Sequence, residues 1–371
     1  MDPLTHTFVG ATLGKAGLER RSALAMPTLL IGANLPDIDV VALFGGDDFG
    51  LAFRRGWTHG VPALIVLPIL LTLGMILYDR RFRRADAPAI DARQLLLLSY
   101  ISVLSHPALD WLNTYGVRLL MPLDGRWFYG DSLFIVDPWI WLALGGILSL
   151  LAKRTLRQTL SWTVLGLFAT LFVLGGPALL LGKIGLSPVH GVWLAGLTLL
   201  AVLRWQHRPR APWQGVVVAV LAAVCLYIGA MVIGTQLASR QVAGELSDQG
   251  LDVRRIMAGP VPLNPLAGEL VIETTDGRFR TGTFHWLTAP RWTLEEKVWE
   301  PASESPIARA AMAAPYARGF VNWARFPIAE ILETDDGYTV YIRDLRYTHD
   351  RTTGFGVREV RLDREWNPLP L

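Results

Sequence analysis

Apolar positions run in long blocks from the start of the chain to about residue 235, and then give way to short alternating stretches. Six blocks, about 61–78, 95–112, 139–151, 160–182, 189–204 and 215–235, read as helices of the kind that cross a bilayer, the third and fifth being short for that. Two pieces precede them. Asp2-Pro3 is a helix start, a capping carboxylate with proline at the first helical position, and this helix runs to about Ala16, ending near Gly17. A second helix covers about Ser22 to Ala33 and stops at Asn34-Leu35-Pro36. The pair forms either a re-entrant hairpin or two short spans, and Gly45-Gly46-Asp47-Asp48 is a loop. From about Ala238 the pattern changes. Residues 269–273 alternate, Thr275-Asp276-Gly277 makes a turn, and Arg278 to Leu287 returns as the second strand of a hairpin. Asp335-Asp336-Gly337 before residues 338–342 marks another hairpin, Phe355 to Leu362 a further strand, and residues 305–314 a short helix. The expected fold is mainly α: a polytopic transmembrane helical bundle over residues 1–237, then a small β-rich (α+β) extramembrane domain over residues 238–371.

Charge supports this division and orients it. The chain is 51% hydrophobic and 18% charged, against about 25% charged in ordinary soluble domains. Loops 79–94, 152–158 and 204–212 carry eleven Lys or Arg, among them Arg208 and Arg210. Loops 113–138 and 183–188 carry three: Arg118, Arg126 and Lys183. The positive-inside rule then puts the three basic loops in the cytoplasm and the C-terminal domain outside. The net charge of +3 is spent on loop orientation, so no nucleic-acid partner is expected. Met1-Asp2-Pro3 lacks a basic n-region, so no cleavable signal peptide is expected. Cys225 is the single cysteine, and no intrachain disulfide is expected.

The chemistry centres on Ser105-His106-Pro107-Ala108-Leu109-Asp110, near the end of the second block. His106 and Asp110 are four residues apart and share one helix face, where an imidazole and a carboxylate can hold one metal ion. Ionisable groups inside an apolar run are expensive, and a metal or a mutual hydrogen bond relieves the cost. Pro107 is expected to kink or open the helix. His6, Asp37, Asp39 and His59 complete a set of three imidazoles and three carboxylates, and all of these except His6 are assigned to the outer membrane face. That inventory suits one or two divalent ions, zinc first, with manganese or iron as alternatives. A bound ion brings the pKa of its water to about 7 and makes hydroxide available at neutral pH. Asp39, His59 and Asp110 are the expected catalytic residues. Asp2, Asn34, Thr58 and Ser105 are candidates to orient the ligands, each with a cap or turn bond as the plainer reading.

Four segments resemble the motifs of the bacterial inner-membrane metal-dependent hydrolases, the DUF457 or YdjM-like group. They are Met1-Asp2-Pro3-Leu4-Thr5-His6, Asn34-Leu35-Pro36-Asp37-Ile38-Asp39, Arg55-Gly56-Trp57-Thr58-His59-Gly60 and Ser105 to Asp110. The resemblance continues through residues 113–118 and 137–139 and on to Pro262-Leu263-Asn264-Pro265 and Asp344-Leu345-Arg346-Tyr347, so it covers most of the chain. It implies a metal-dependent hydrolase. The order of histidine, Pro-Asp and His-x-x-x-Asp is also distantly similar to zinc-dependent phospholipase C, which implies phosphoester chemistry. Gly60 departs from the pattern, where serine is expected.

A second cluster, Tyr115, Arg118, Arg126, Trp127, Asp131 and Asp137, lies in the outer loop 113–138. Tyr115, Arg118 and Arg126 are the expected substrate-binding residues, since arginines beside a metal site suit a phosphate group. Trp127, Phe128 and Tyr129 read as an aromatic belt at headgroup level, and Asp131 and Asp137 as turn residues or extra ligands. His190, His207, His285 and His349 have no acidic partner at ligand spacing and read as structural. The expected activity is hydrolysis of a membrane lipid or lipid-linked substrate, first by phosphoester cleavage. Amide or ester hydrolysis is the alternative, and a transporter or assembly factor is the non-enzymatic one.

Overall fold

A computed structural model describes residues 1–84, 86–181, 188–206 and 213–370. Lys183, His207, Arg208 and Arg210 lie outside the described residues. Helix α1 (Pro3–Lys15) begins as expected, with the Asp2 carboxylate accepting from the Thr5 amide at 3.0 Å. Helix α2 (Ala25–Gly32) leads into a 3-10 stretch, Leu35–Gly45. The loop expected at Gly45 to Asp48 is only partly a loop. Asp47 and Asp48 open a helix, α3 (Asp47–Phe53), because carboxylates favour a helix N-terminus. Four longer elements follow the apolar blocks: α4 (Val61–Phe82), α5 (Ala92–Trp111), α8 (Leu156–Leu181) and α9 (Pro188–Gln206). Between α5 and α8 lie α6 (Pro138–Ile140), a π-helical turn at Trp141–Gly145, and α7 (Gly146–Leu151). Helix α5 runs unbroken through Pro107, so the expected opening there does not occur.

Among the described residues, five helical stretches are long and apolar enough to cross a membrane: Ala25–Gly45, Val61–Phe82, Leu156–Gly175, Pro188–Gln206 and Gln214–Asp248. Helix α5 is not among them. Its polar positions Ser99, Ser102, His106 and Asp110 are buried, and α2 and α4 pack on either side of it. Close approach to α2 depends on Gly32, where a β-carbon would fall 2.0 Å from Ser102 Oγ. The bundle is thus built around a helix with a polar interior face.

The last membrane helix, α10 (Gln214–Asp248), passes residue 238 without a break. Its final turns supply Ala238, Val242 and Leu246 to a core shared with Ala258, Leu270, Ile272 and Phe284. That core belongs to an antiparallel sheet of β1 (Val253–Pro260), β2 (Ala267–Thr274), β3 (Phe279–His285) and β4 (Trp292–Trp299), in that order. Helices α11 (Pro306–Met312) and α12 (Arg318–Trp323) follow, and then an antiparallel sheet of β5 (Pro327–Thr334), β6 (Gly337–Asp344) and β7 (Val357–Asp363). Both expected hairpins form. Strands β1 and β4 were not foreseen; they are the edges of their sheet, and their charged, solvent-facing positions hide the alternation.

The sheet domain is clamped to the loops beside α5. The Phe320 amide donates to Asp48 Oδ1 at 3.0 Å, and Arg325 Nη1 meets Asp131 Oδ2 at 2.7 Å. Arg346 donates to the Thr114 carbonyl at 2.7 Å, and Trp323 Nε1 to the Tyr115 carbonyl at 3.3 Å. Asn113 and the following turn are therefore held from both sides.

Candidate metal centre

Four elements converge on Asp110, which is fully buried near the end of α5. One turn earlier, His106 places Nε2 3.5 Å from Asp110 Oδ2 and 3.5 Å from Asp37 Oδ1. Asp37 and Asp39 come from the 3-10 stretch that opens at Pro36; Asp37 faces His106 on α5, and Asp39 faces the segment from Arg55 to His59. His59 enters from the loop before α4, with Nε2 3.2 Å from Asp110 Oδ2. One ligand atom from each of Asp37, His59, His106 and Asp110 lies within 4.8 Å of the others. Of these four, only Asp37 reaches the surface, with 18% of its side chain exposed.

The tautomers point the right lone pairs inward. His106 Nδ1 donates to the Ala33 carbonyl at 2.7 Å, so Nε2 carries no proton in the neutral ring. That Nε2 faces two carboxylates and has no hydrogen-bond partner. A lone pair aimed at two anions is unfavourable, and either a proton on Nε2 or a metal ion between the groups relieves it. His59 Nδ1 lies 3.0 Å from Thr58 Oγ1 and 3.4 Å from Asp39 Oδ2, which leaves its Nε2 for the centre. Burial pushes the His59 imidazole below its ordinary pKa and keeps it in the neutral, ligating form. Two imidazole nitrogens and two carboxylate groups form a donor set that fits a divalent ion of the zinc type.

The remaining expected ligands stand at different positions. His6, on α1, stacks on His106 with ring centroids 3.8 Å apart and points Nε2 at Asp110 Oδ1, 3.3 Å away. Both its ring nitrogens are buried without a hydrogen-bond partner. Asp39 sits behind His59. It accepts from the Arg55 amide at 2.8 Å and from Thr58 Oγ1 at 3.0 Å, and so orients the imidazole. Among the proposed orienting groups only Thr58 touches a ligand. Asp2 caps α1, Asn34 binds the Leu30 carbonyl and Thr7, and Ser105 bonds back to the Ser102 carbonyl.

Sequence reasoning assigned no role to Arg54 and Arg55. Arg55 is buried, with Nη2 3.1 Å from Asp110 Oδ1 and Nη1 3.0 Å from Asn113 Oδ1, and its guanidinium lies 4.5 Å above the Tyr115 ring. The α-amino group of Met1 also meets Asp110. Arg55 has a backbone φ of 50°, a conformation that non-glycine residues adopt mainly where surroundings impose it. The available signal was a pair of charges just ahead of the apolar block at 61.

The residues expected to bind substrate in loop 113–138 divide. Tyr115 is buried against Arg55 and Trp323, and Arg118 spends Nη2 on the carbonyls of Ala52 and Arg54 at 2.6 and 3.0 Å. Both are thus brought beside the centre, as supports for Arg54 and Arg55. Arg126 is exposed and pairs with Asp124. Trp127 packs on Tyr115 and under Arg118. Asp131 binds Arg325, while Asp137 caps α6 and accepts from Tyr227. His190, His285 and His349 do not join the cluster. Gly60 has a physical reason for its departure from the expected serine: a β-carbon there would stand 2.3 Å from the Met121 carbonyl oxygen.

Fold and site together define a helical membrane protein with a buried His/Asp cluster that could hold a metal ion. Residues 1–179 match the family described as YdjM inner membrane protein, in line with the motifs. Residues 306–370 match the YfhP C-terminal alpha/beta plait domain, which here comprises α11, α12 and β5 to β7. The chain is 26% identical over 151 residues to "Uncharacterized protein YfhP" of Bacillus subtilis (strain 168). That match covers 38% of this chain and 44% of the relative, so the chain spans less than half the length of the protein it resembles. No solved structure matches.

Proposed function

We propose that this protein is a membrane-embedded, divalent-metal-dependent hydrolase that cleaves a phosphoester in a lipid or lipid-linked substrate at the outer face of the inner membrane. The observation that carries the metal is His106 Nε2, bare, buried and facing Asp37 and Asp110. When bound, a divalent ion, zinc first, supplies Lewis acidity and an acidified water. The chain's own residues do the rest. Asp37, His59, His106 and Asp110 hold the ion, with His6 available on the far oxygen of Asp110. Asp39 keeps His59 in its ligating tautomer, and Arg55 balances the charge of Asp110.

A lipid substrate is supported by the rim. Phe49, Phe53 and Trp57 stack in a row with centroids 6.0 and 6.4 Å apart, and Phe44 is 96% exposed. These aromatics lie on the same segment as Arg54 and suit acyl chains beside a polar headgroup. The basic-loop count supports an outward-facing centre and a C-terminal domain, residues 238–371, outside the cytoplasm. Hydrolysis of an amide or neutral ester uses the same ligand set and is the second reading.

Metal analysis of the detergent-purified protein, with phospholipid turnover followed in parallel, tests the reading. One or two zinc ions per chain and a released phosphorylated headgroup are expected. A chain that takes up no zinc, manganese or iron ends it. Alkaline phosphatase fused behind β7 should be active; an inactive phosphatase and a fluorescent cytoplasmic fusion would reverse the orientation.

A further inference from the structure

Arg54 and Arg55 are neighbours in sequence, yet their side chains serve different surroundings. The φ of 50° at Arg55 turns its side chain into the bundle, where Asp110, Asn113 and the Tyr115 ring engage it. Arg54 stays at the rim with 27% of its side chain exposed. Its ion pairs are long, 3.5 Å to Asp39 Oδ1 and 3.8 Å to Asp37 Oδ1. Asp37 is the partly exposed member of the four ligands, so Arg54 and Asp37 mark the open corner of the centre. The backbone beneath is held firmly, because Arg118 grips the carbonyls of Ala52 and Arg54.

Charge decides what this corner attracts. Counting side chains alone, Asp37, Asp39 and Asp110 contribute three negative charges, and Arg54 and Arg55 two positive ones. The sum is −1, and a divalent ion changes it to +1. A buried centre with surplus positive charge draws an anion. Once an ion takes the oxygens of Asp37 and Asp110, the weakly held Arg54 is the cation with unspent donors at the opening. A guanidinium presents a planar fork that matches two phosphoryl oxygens.

We propose that Arg54 is the substrate-binding cation of this centre and that it receives an anionic phosphoryl group, which makes the substrate a phosphoester with its charge at the rim and its apolar part along Phe49, Phe53 and Trp57. The proposal rests on the metal-centre reading above and goes beyond it by naming the residue that receives the phosphoryl group.

Binding of inorganic phosphate to the zinc-loaded protein in detergent, measured by calorimetry, tests it without any turnover. The wild type should bind phosphate only when zinc is present. Arg54→Gln should weaken phosphate binding about tenfold or more, the size of one lost charge-assisted pair, while zinc per chain stays unchanged. Arg54→Lys should recover part of the affinity, since the charge remains and the fork is lost. Equal phosphate affinity in Arg54→Gln and wild type overturns the assignment, and so does a zinc-loaded wild type that ignores phosphate. Loss of zinc from Arg54→Gln also overturns it, since Arg54 would then serve to hold Asp37 and Asp39. A wild type that binds no zinc overturns this proposal together with the metal-centre reading.

Discussion

Asp344 and Asp110 are both fully buried beside an arginine, and they meet opposite fates. Asp344, at the end of β6, is surrounded by donors that match its needs. It accepts from the Arg325 amide at 2.6 Å, the Arg346 amide at 3.0 Å and the Arg346 guanidinium at 2.7 Å. Arg346 in turn reaches the carbonyls of Thr114 and Trp323. Asp110 also has its arginine, but the imidazoles around it are not satisfied. His106 Nε2 and both nitrogens of His6 have no hydrogen-bond partner. A completed buried network stabilises and fixes an arrangement; an incomplete one costs stability and persists where a ligand completes it. Asp344 therefore serves as a latch between the sheet domain and the loop after α5, and Asp110 as the hub of a cluster that could hold a metal ion.

The largest effect expected from breaking this contrast is at the latch. Asp344→Ala leaves Arg346 charged and unpaired, which should cost about 3–5 kcal/mol. The melting temperature in detergent should drop while zinc per chain stays the same; joint loss of both would show that latch and hub are one unit. At the hub the pattern should invert. Asp110→Asn keeps shape and a carbonyl oxygen but removes charge, and zinc affinity should fall by more than the roughly 10–100-fold that loss of an outlying partner costs. His106→Ala should behave alike, with both variants still found in the membrane fraction. Full zinc occupancy in both would reduce the cluster to a hydrogen-bonded core. Asp39→Asn should be intermediate, about 10–100-fold in zinc affinity, because it disturbs the orientation of His59 and not the ion itself. An effect as large as that of Asp110→Asn would make Asp39 a ligand. The smallest change should be Ser105→Ala, within about 0.5 kcal/mol and with zinc unchanged, since its hydroxyl only bonds back along α5. A loss of zinc there would mean that α5 is more delicately posed than its hydrogen bonds show.

Much of the centre was legible because its ligands sit in short local patterns. His106 and Asp110 are one helical turn apart, so periodicity alone places that pair on one face, and Asp37 and Asp39 stand together directly after a proline. Arg54 and Arg55 were not legible. Their roles follow from a left-handed backbone and from a tyrosine and an asparagine about sixty residues away, neither of which leaves a mark in local spacing. The edge strands β1 and β4 were missed for a related reason: their pairing is set by a neighbouring strand and not by their own alternation.

The sequence by itself determined that apolar helices come first and alternating strands later, that the hairpins turn at Asp276-Gly277 and Asp336-Gly337, and that histidines and aspartates recur in four patches before residue 111. These are local consequences of hydrophobic period and turn chemistry, which act over a few residues. Only the tertiary structure decided that α5 lies inside the bundle, that Asp39 supports His59, and that Arg118 holds a backbone turn in place of a ligand. Each of those depends on which distant groups reach a buried atom first, because a buried charge or lone pair takes whatever partner the packing brings to it.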